Sequence, residues 1–398
     1  MKHFLRIFLL LACVSLPALA QRSLGTVEVA VDNSVLLVRV SGTTTELNDL
    51  ALRAFNSHGR YKLVATGYLF DIRFSPAGPN QVRVDITKGS APFASETVPG
   101  TNLRHALLRA ADVAVEKTNG LGLRGFFTAR LAFIRDLGRV QEVCTSDLFF
   151  SSGEVKQITN FRVPSLAPRW SPDGTKIIYT SYLKGAADIY TLDLAANRPD
   201  KFATYVGSNY GARYSPSGRQ VAMVITGEGS PDIYVTDTQG RITASSRRTH
   251  SDRVKGSPAW KPDGAQLVFS MEPGPQLHLM SAAGGTPQRL VTGFTFADEP
   301  DWSRANSNKI ACTVRVGRQG FRIAIYDFAK GKAEVVDMKN PPFDSKEPCW
   351  LPDGRHLVYT AMSPTESRLC ILDTETGKST PISPASFGSA KQASVWTP

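Results

Sequence analysis

The pentapeptide WSPDG, beginning at Trp170, returns in variant form along the rest of the chain. Tyr214 opens YSPSG, Trp260 opens WKPDG, Trp302 opens WSRAN, Trp350 opens WLPDG, and Trp396 opens a terminal WTP. Successive intervals are 44, 46, 42, 48 and 46 residues. A period in the forties is that of a propeller blade of about four strands. The motif has a turn mechanism: Pro presets φ at the first central position, Asp suits the second, and Gly takes the positive φ that closes the turn. The aromatic before it is a structural anchor, large enough to wedge between neighbouring sheets.

The interior of each unit repeats as well. Seven residues after the anchor an apolar run begins: IIYTS at Ile177, VAMVI at Val221, LVFSM at Leu267, LVYTA at Leu357. After WSRAN, which has lost its Pro and Gly, the run IACTV starts one residue later, at Ile310. A further strand follows in each unit (DIYTLDL, DIYVTDT, QLHLMSA, RIAIYDF, RLCILDT), then a turn and a short fourth strand. The last unit has an anchor, SVWTP, with nothing after it. The stretch before Trp170 has strands, LAFIRD and DLFFSSGEVKQIT, with no anchor. Joined, the two halves complete a sixth blade, and a closed ring leaves no long unpaired edge. The expected fold is mainly β: a six-bladed β-propeller over residues 126–398, closed by the C-terminal strand.

Residues 1–20 read as an export signal: Lys2 and Arg6, an apolar core, and Ala18-x-Ala20 as cleavage site. LLAC, ending at Cys13, is the competing lipid-attachment reading. Residues 21–125 lack the repeat and mix strands (VLLVRV, YLFDIRF, QVRVDIT) with two helical patterns, which indicates a small α/β domain with an N-terminal arm. Thr43 and Glu46 have capping-box spacing before the first helix, and the second is expected from Asn102 to Lys117. GLGLRG at 120–125 has the letters of a dinucleotide fingerprint but follows a helix and precedes a strand, so it reads as a helix stop and linker.

The net charge of +11 is spread along the chain, without the clustered basic patch of a nucleic-acid binder. Cys144, Cys312, Cys349 and Cys370 have no metal-ligand spacing, and sequence does not pair them. The histidines His58, His105, His250, His278 and His356 are scattered, and there is no G-x-S-x-G elbow or H-E-x-x-H. No catalytic residue, cofactor or metal ligand is therefore expected. Propeller enzymes do build sites from scattered channel residues, so a propeller that binds or cleaves an anionic glycan is the alternative, suggested by the basic balance.

An exported chain, a small α/β domain and six WSPDG-type blades resemble the TolB family, the periplasmic propellers of the Tol–Pal envelope system. Gly122, Gly125, Phe127, Arg130 and Ala132 in GLRGFFTARLAFI look like the family's domain junction. The resemblance implies a periplasmic, monomeric, non-enzymatic adaptor, peripheral to the membrane at most, with no nucleic-acid partner. Its propeller face would contact a Pal-like peptidoglycan-associated lipoprotein and its N-terminal arm a TolA-like inner-membrane protein. Carried onto this sequence, the partner-binding residues are Ser208, Asn209 and Tyr210, with Arg253, Lys255, Asp298, Glu299, Lys346 and Glu347 in the equivalent loops. The arm carries Leu24, Val27, Val29 and Val31.

Overall fold

The computed structural model describes residues 35–227 and 229–398, which belong to one compact unit. The signal segment and the arm residues Leu24, Val27, Val29 and Val31 lie outside the described residues. No described helix is long and apolar enough to cross a membrane.

The N-terminal part is a five-stranded sheet with two helices. In chain order it runs β1 (Leu36–Gly42), α1 (Thr45–Ser57), β2 (Tyr61–Leu63), β3 (Phe70–Gly78), β4 (Gln81–Lys88), β5 (Ala91–Pro99) and α2 (Leu103–Thr118). The sheet order is β2-β1-β3-β4-β5, with β1 parallel to both neighbours and β3-β4-β5 antiparallel. The first helix is capped by Thr44, whose hydroxyl accepts from the Leu47 amide, and not by Thr43; the capping-box spacing was one residue early. Asn102 caps α2 as its position predicts, accepting from the His105 amide at 2.8 Å. Asn119 stops the same helix: its side-chain oxygen accepts from Leu121 N at 2.7 Å and Leu123 N at 3.0 Å, and Gly120 and Gly122 take φ near +70°. GLGLRG is thus a turn with no room for a helix start.

The remaining strands form six sheets arranged as blades. Five blades are continuous, and the sixth joins Ser389–Trp396 to Arg130–Asp136 in antiparallel register from Ser389↔Asp136 to Trp396↔Arg130. The second of the continuous blades has three strands, and its fourth is reduced to a single bridge, Tyr234↔Arg247. The turns follow the sequence chemistry and add a role for Ser171. Its hydroxyl accepts from Lys176 N at 2.9 Å and contacts Asp173 Oδ1 at 2.5 Å, while Gly174 has φ +70°. In the degenerate unit the turn closes from Ser303 N to Lys309 O instead of spanning five residues, which accounts for the one-residue delay.

Three indoles act as the expected wedges, each donating to the inner strand of the preceding blade. Trp170 reaches Ser394 O, Trp260 reaches Arg213 O, and Trp350 reaches Asp301 O, at 3.0–3.2 Å. Trp302 instead caps its own irregular turn at Ser307 O. Trp396 is a correction to the sequence count. In every other blade the anchor pairs with the first apolar residue of the next strand, but here Val395 pairs with Leu131. Trp396 falls one position past that register, packs on Trp170 at 5.9 Å and donates forward to Pro172 O. The chain end thus locks onto the following blade from the other side.

Candidate binding channel and its two mouths

The six inner strands share one irregularity. Opposite the middle of the second strand each carries a two-residue bulge, and the first bulge residue has positive φ: Ala167, Gly211, Ser257, Glu299, Glu347 and Gln392, with φ from 50° to 67°. Five of the six are not glycine, so the ring holds backbone strain of about 1 kcal/mol or more per residue. The second bulge residue is Pro in four blades (Pro168, Pro258, Pro300, Pro348) and Ala in two. A bulge leaves one residue outside the ladder, and Pro has no N–H to leave unpaired.

Hydrogen bonds from blade to blade offset the strain. Glu299 Oε2 accepts from Glu347 N at 3.0 Å and from the Thr313 hydroxyl at 2.6 Å. Glu347 Oε2 accepts from Gln392 N at 2.9 Å and from the Thr360 hydroxyl at 2.7 Å. Gln392 Oε1 accepts from Ala167 N at 2.8 Å. All six bulge residues line one cavity of about 330 Å³. Burial, then the neighbouring Glu347 charge, pushes the Glu299 carboxyl up to about 7.

Below this ring Arg213 crosses the channel to Asp301, two blades away, at 2.8 Å. Beside it, burial and the Arg213 charge bring Arg169 down to about 10. These two arginines separate the carboxylate-lined cavity from a second one on the anchor side, about 660 Å³, flanked by Leu121–Arg124 of the linker. The channel is therefore acidic toward the loops and basic toward the anchors.

The residues expected to bind a partner divide in two. Tyr210, Lys255, Asp298, Glu299 and Glu347 line the 330 Å³ cavity together. Ser208, Asn209, Arg253 and Lys346 are not part of that lining. Most of the set lies on inner strands (Asn209–Tyr214, Lys255–Trp260, Ala297–Trp302, Asp344–Trp350), and only Ser208 and Arg253 lie in loops. The side chains of Asn209 and Lys255 are fully buried. Asn209 donates to Asp188 and to Tyr205 O, and Lys255 pairs with Asp232 at 2.7 Å and also donates to Ser251 O. Lys346 lies over the Phe321 ring at 3.9 Å.

Sequence reading missed a second feature of the loop face. Every exposed large apolar side chain of the propeller, among the described residues, is there: Leu137, Tyr182, Leu183, Tyr205, Val206, Val254, Val291 and Phe343. Val206 and Phe343 are 84% and 67% exposed. These residues fall in connections that carry no repeat signature, so only the ring arrangement gathers them.

Two of the scattered histidines also meet. His58 and His356, far apart in sequence, have ring centroids 4.3 Å apart where the α1–β2 turn enters the last full blade. Gly59 N donates to His356 Nε2 at 3.0 Å, and a Cβ on Gly59 would overlap the Asp373 carboxylate. Asp353 contacts His356 Nδ1 at 2.5 Å, and Arg355 holds Asp373 through contacts of 2.8–3.1 Å. Burial opposes ionisation of Asp373, yet His356 and Arg355 hold it far below the ordinary carboxylate range. Burial and then the His356 charge keep His58 well below the usual imidazole value. His58, Asp353 and His356 are close enough to suggest metal ligation, but Nδ1 of His356 is taken by Asp353 and Nε2 by Gly59. The cluster reads as a clasp between the α/β part and the propeller.

The family model described as the TolB beta propeller domain matches residues 118–398. The Tol-Pal system protein TolB of Francisella tularensis subsp. mediasiatica (strain FSC147) is 26% identical over 298 residues, covering 70% of this chain and 66% of the relative. The chain thus spans just under two thirds of that relative's length. Among solved structures, TolB from Acinetobacter baumannii superposes with a TM-score of 0.78 at 19% identity, covering 91% of this chain and 96% of that one. A nidogen/laminin complex chain gives 0.53 at 14% identity over 68% of this chain and 98% of that one. At these identities the structural likeness speaks for the fold alone.

Proposed function

This chain belongs to the TolB beta propeller family, and from that premise we propose that it is a non-enzymatic adaptor of a Tol–Pal-type envelope system. The loop face docks a Pal-like peptidoglycan-associated lipoprotein, and the N-terminal arm engages a TolA-like inner-membrane protein from the periplasm. The protein maintains outer-membrane integrity through these contacts. The observation that carries the reading is the placement of all the propeller's exposed large apolar side chains on the loop face, around a channel mouth lined by Tyr210, Asp298 and the two glutamates. An apolar patch around a polar mouth is the anatomy of a protein–protein interface.

The carboxylate pair does not favour chemistry instead. Glu299 and Glu347 each spend an oxygen on a backbone amide and a threonine hydroxyl, so both serve the strained ring.

The test is capture from envelope extract on immobilised protein, followed by affinity measurement with the recovered lipoprotein. Val206→Asp with Phe343→Asp, both on exposed positions, is expected to weaken that binding by about tenfold or more while leaving the melting temperature unchanged. Recovery of no envelope lipoprotein, or an unchanged Kd in the double variant, rejects this face as the docking surface.

A further inference from the structure

We propose that the anchor-side mouth of the channel is a binding site for a small multivalent anion, one carrying clustered carboxylate or phosphate groups. The site lies on the face opposite the proposed partner surface and is independent of that reading.

The cavity of about 660 Å³ is within the range of small-molecule sites. Four arginines line it, Arg124, Arg169, Arg213 and Arg304, against two carboxylates, Asp301 and Asp353. Both carboxylates are already committed. Asp301 gives one oxygen to Arg213 and the other to Trp350 N at 2.9 Å. Asp353 gives one oxygen to His356 and the other to the amides of Arg355 and His356. That leaves Arg124, Arg169 and Arg304 with no carboxylate partner among the described residues.

Arg169 is the centre of the site. Its side chain makes one hydrogen bond, to the carbonyl of its own neighbour Pro168 at 3.0 Å, and it sits beside a second guanidinium. Asp301 already compensates Arg213 but has both oxygens spent, so the Arg169 guanidinium keeps donors in a partly desolvated waist that a bound anion would fill. A guanidinium presents paired donors in a plane, which match a carboxylate or phosphate edge. Arg124 on the linker and Arg304 on the degenerate turn are exposed at the rim, where they would draw an anion inward. The far side of the waist carries Asp298, Glu299 and Glu347, which repel an anion and so confine it to the anchor side.

Citrate and inorganic phosphate are the probes, titrated at constant ionic strength against sodium chloride. Trp170, Trp260, Trp302 and Trp350 line the cavity, so their fluorescence reports occupancy directly, with calorimetry alongside. The expected result is saturable binding of one or both probes, weakened about tenfold or more by Arg169→Met, which keeps an unbranched apolar stem and removes the guanidinium. Binding is also expected to weaken as salt is raised. A response no larger than that of chloride, or unchanged affinity in Arg169→Met, overturns the proposal. If Arg169→Met does not fold, the exposed pair Arg124→Ser with Arg304→Ser decides: weaker binding of about threefold or more supports the site, and unchanged affinity overturns it. Phosphatidylglycerol vesicles form a separate arm. Co-sedimentation with vesicles that citrate fails to compete would place anion recognition elsewhere on the surface and overturn the assignment.

Discussion

Two clusters of buried ionisable groups sit in this molecule, and they are built on opposite principles. In the clasp, Asp373 faces Arg355 and Asp353 faces His356 Nδ1, so each carboxylate meets a side-chain donor at close range. In the channel ring, Glu299 and Glu347 meet hydroxyls and backbone amides, and the Glu347 charge adds to burial in raising the cost of ionising Glu299. The clasp is filled: even a methyl at Gly59 would collide with Asp373. The ring borders open space of about 330 Å³. A paired, space-filling cluster fixes geometry, whereas an under-compensated cluster beside a cavity keeps electrostatic potential available to whatever enters.

The sharpest way to break this contrast is Asp373→Ala. It strands Arg355 in a dry site, and a loss of about 3–5 kcal/mol is expected in denaturant melts. Because the folded pKa of Asp373 is depressed, its contribution is present above the ordinary carboxylate range and is lost as pH falls through and below it. A loss under 1 kcal/mol, or no steepening of wild-type acid unfolding relative to the variant, would mean that the clasp is not an ionic one.

Glu299→Gln probes the ring with the opposite sign. The folded pKa is raised to about 7, so the wild-type contribution is fully present below the unfolded value and is lost as pH rises toward 7. Gln can accept the same Thr313 and Glu347 N–H bonds without a charge. The variant is expected to match wild type near pH 4.5 and exceed it by about 1 kcal/mol or more at pH 8. A variant less stable than wild type at pH 8 would place a cation near Glu299 and erase the distinction drawn here.

The smallest effect belongs to Gln392→Gly. Removing the side chain relieves a φ of +57° but gives up the bond to Ala167 N. The two changes are each about 1 kcal/mol and opposed, so a net shift within about 1 kcal/mol is expected in thermal melts. A larger loss would show that the blade-to-blade bonds outweigh the strain they accompany.

Much of the scaffold was legible because it repeats. Turn chemistry and strand alternation are local, and six near-copies of one local signal average out its noise, so blade number and the shared closing blade could be counted from the anchors. The α2 cap and the linker stop were equally local, resting on Asn102, Asn119 and the glycines that follow. Trp396 shows the limit of counting: its interval fits the repeat, yet a one-residue shift in pairing turns its ring toward the following blade.

The channel and the clasp depended on closure. Glu299, Glu347, Gln392 and Ala167 sit in different blades, and nothing in any one repeat says that the side chain of one will accept the amide of the next. His58 and His356 read as isolated because nearly three hundred residues separate them. The sequence by itself determined the blade count, the turns and the family. Only the tertiary structure decided which charges share a waist, which face carries the apolar patch and which histidines touch. The physical reason is that local propensity acts over a few residues, while electrostatics and burial act over a few ångströms, and only the closed ring makes those two distances coincide.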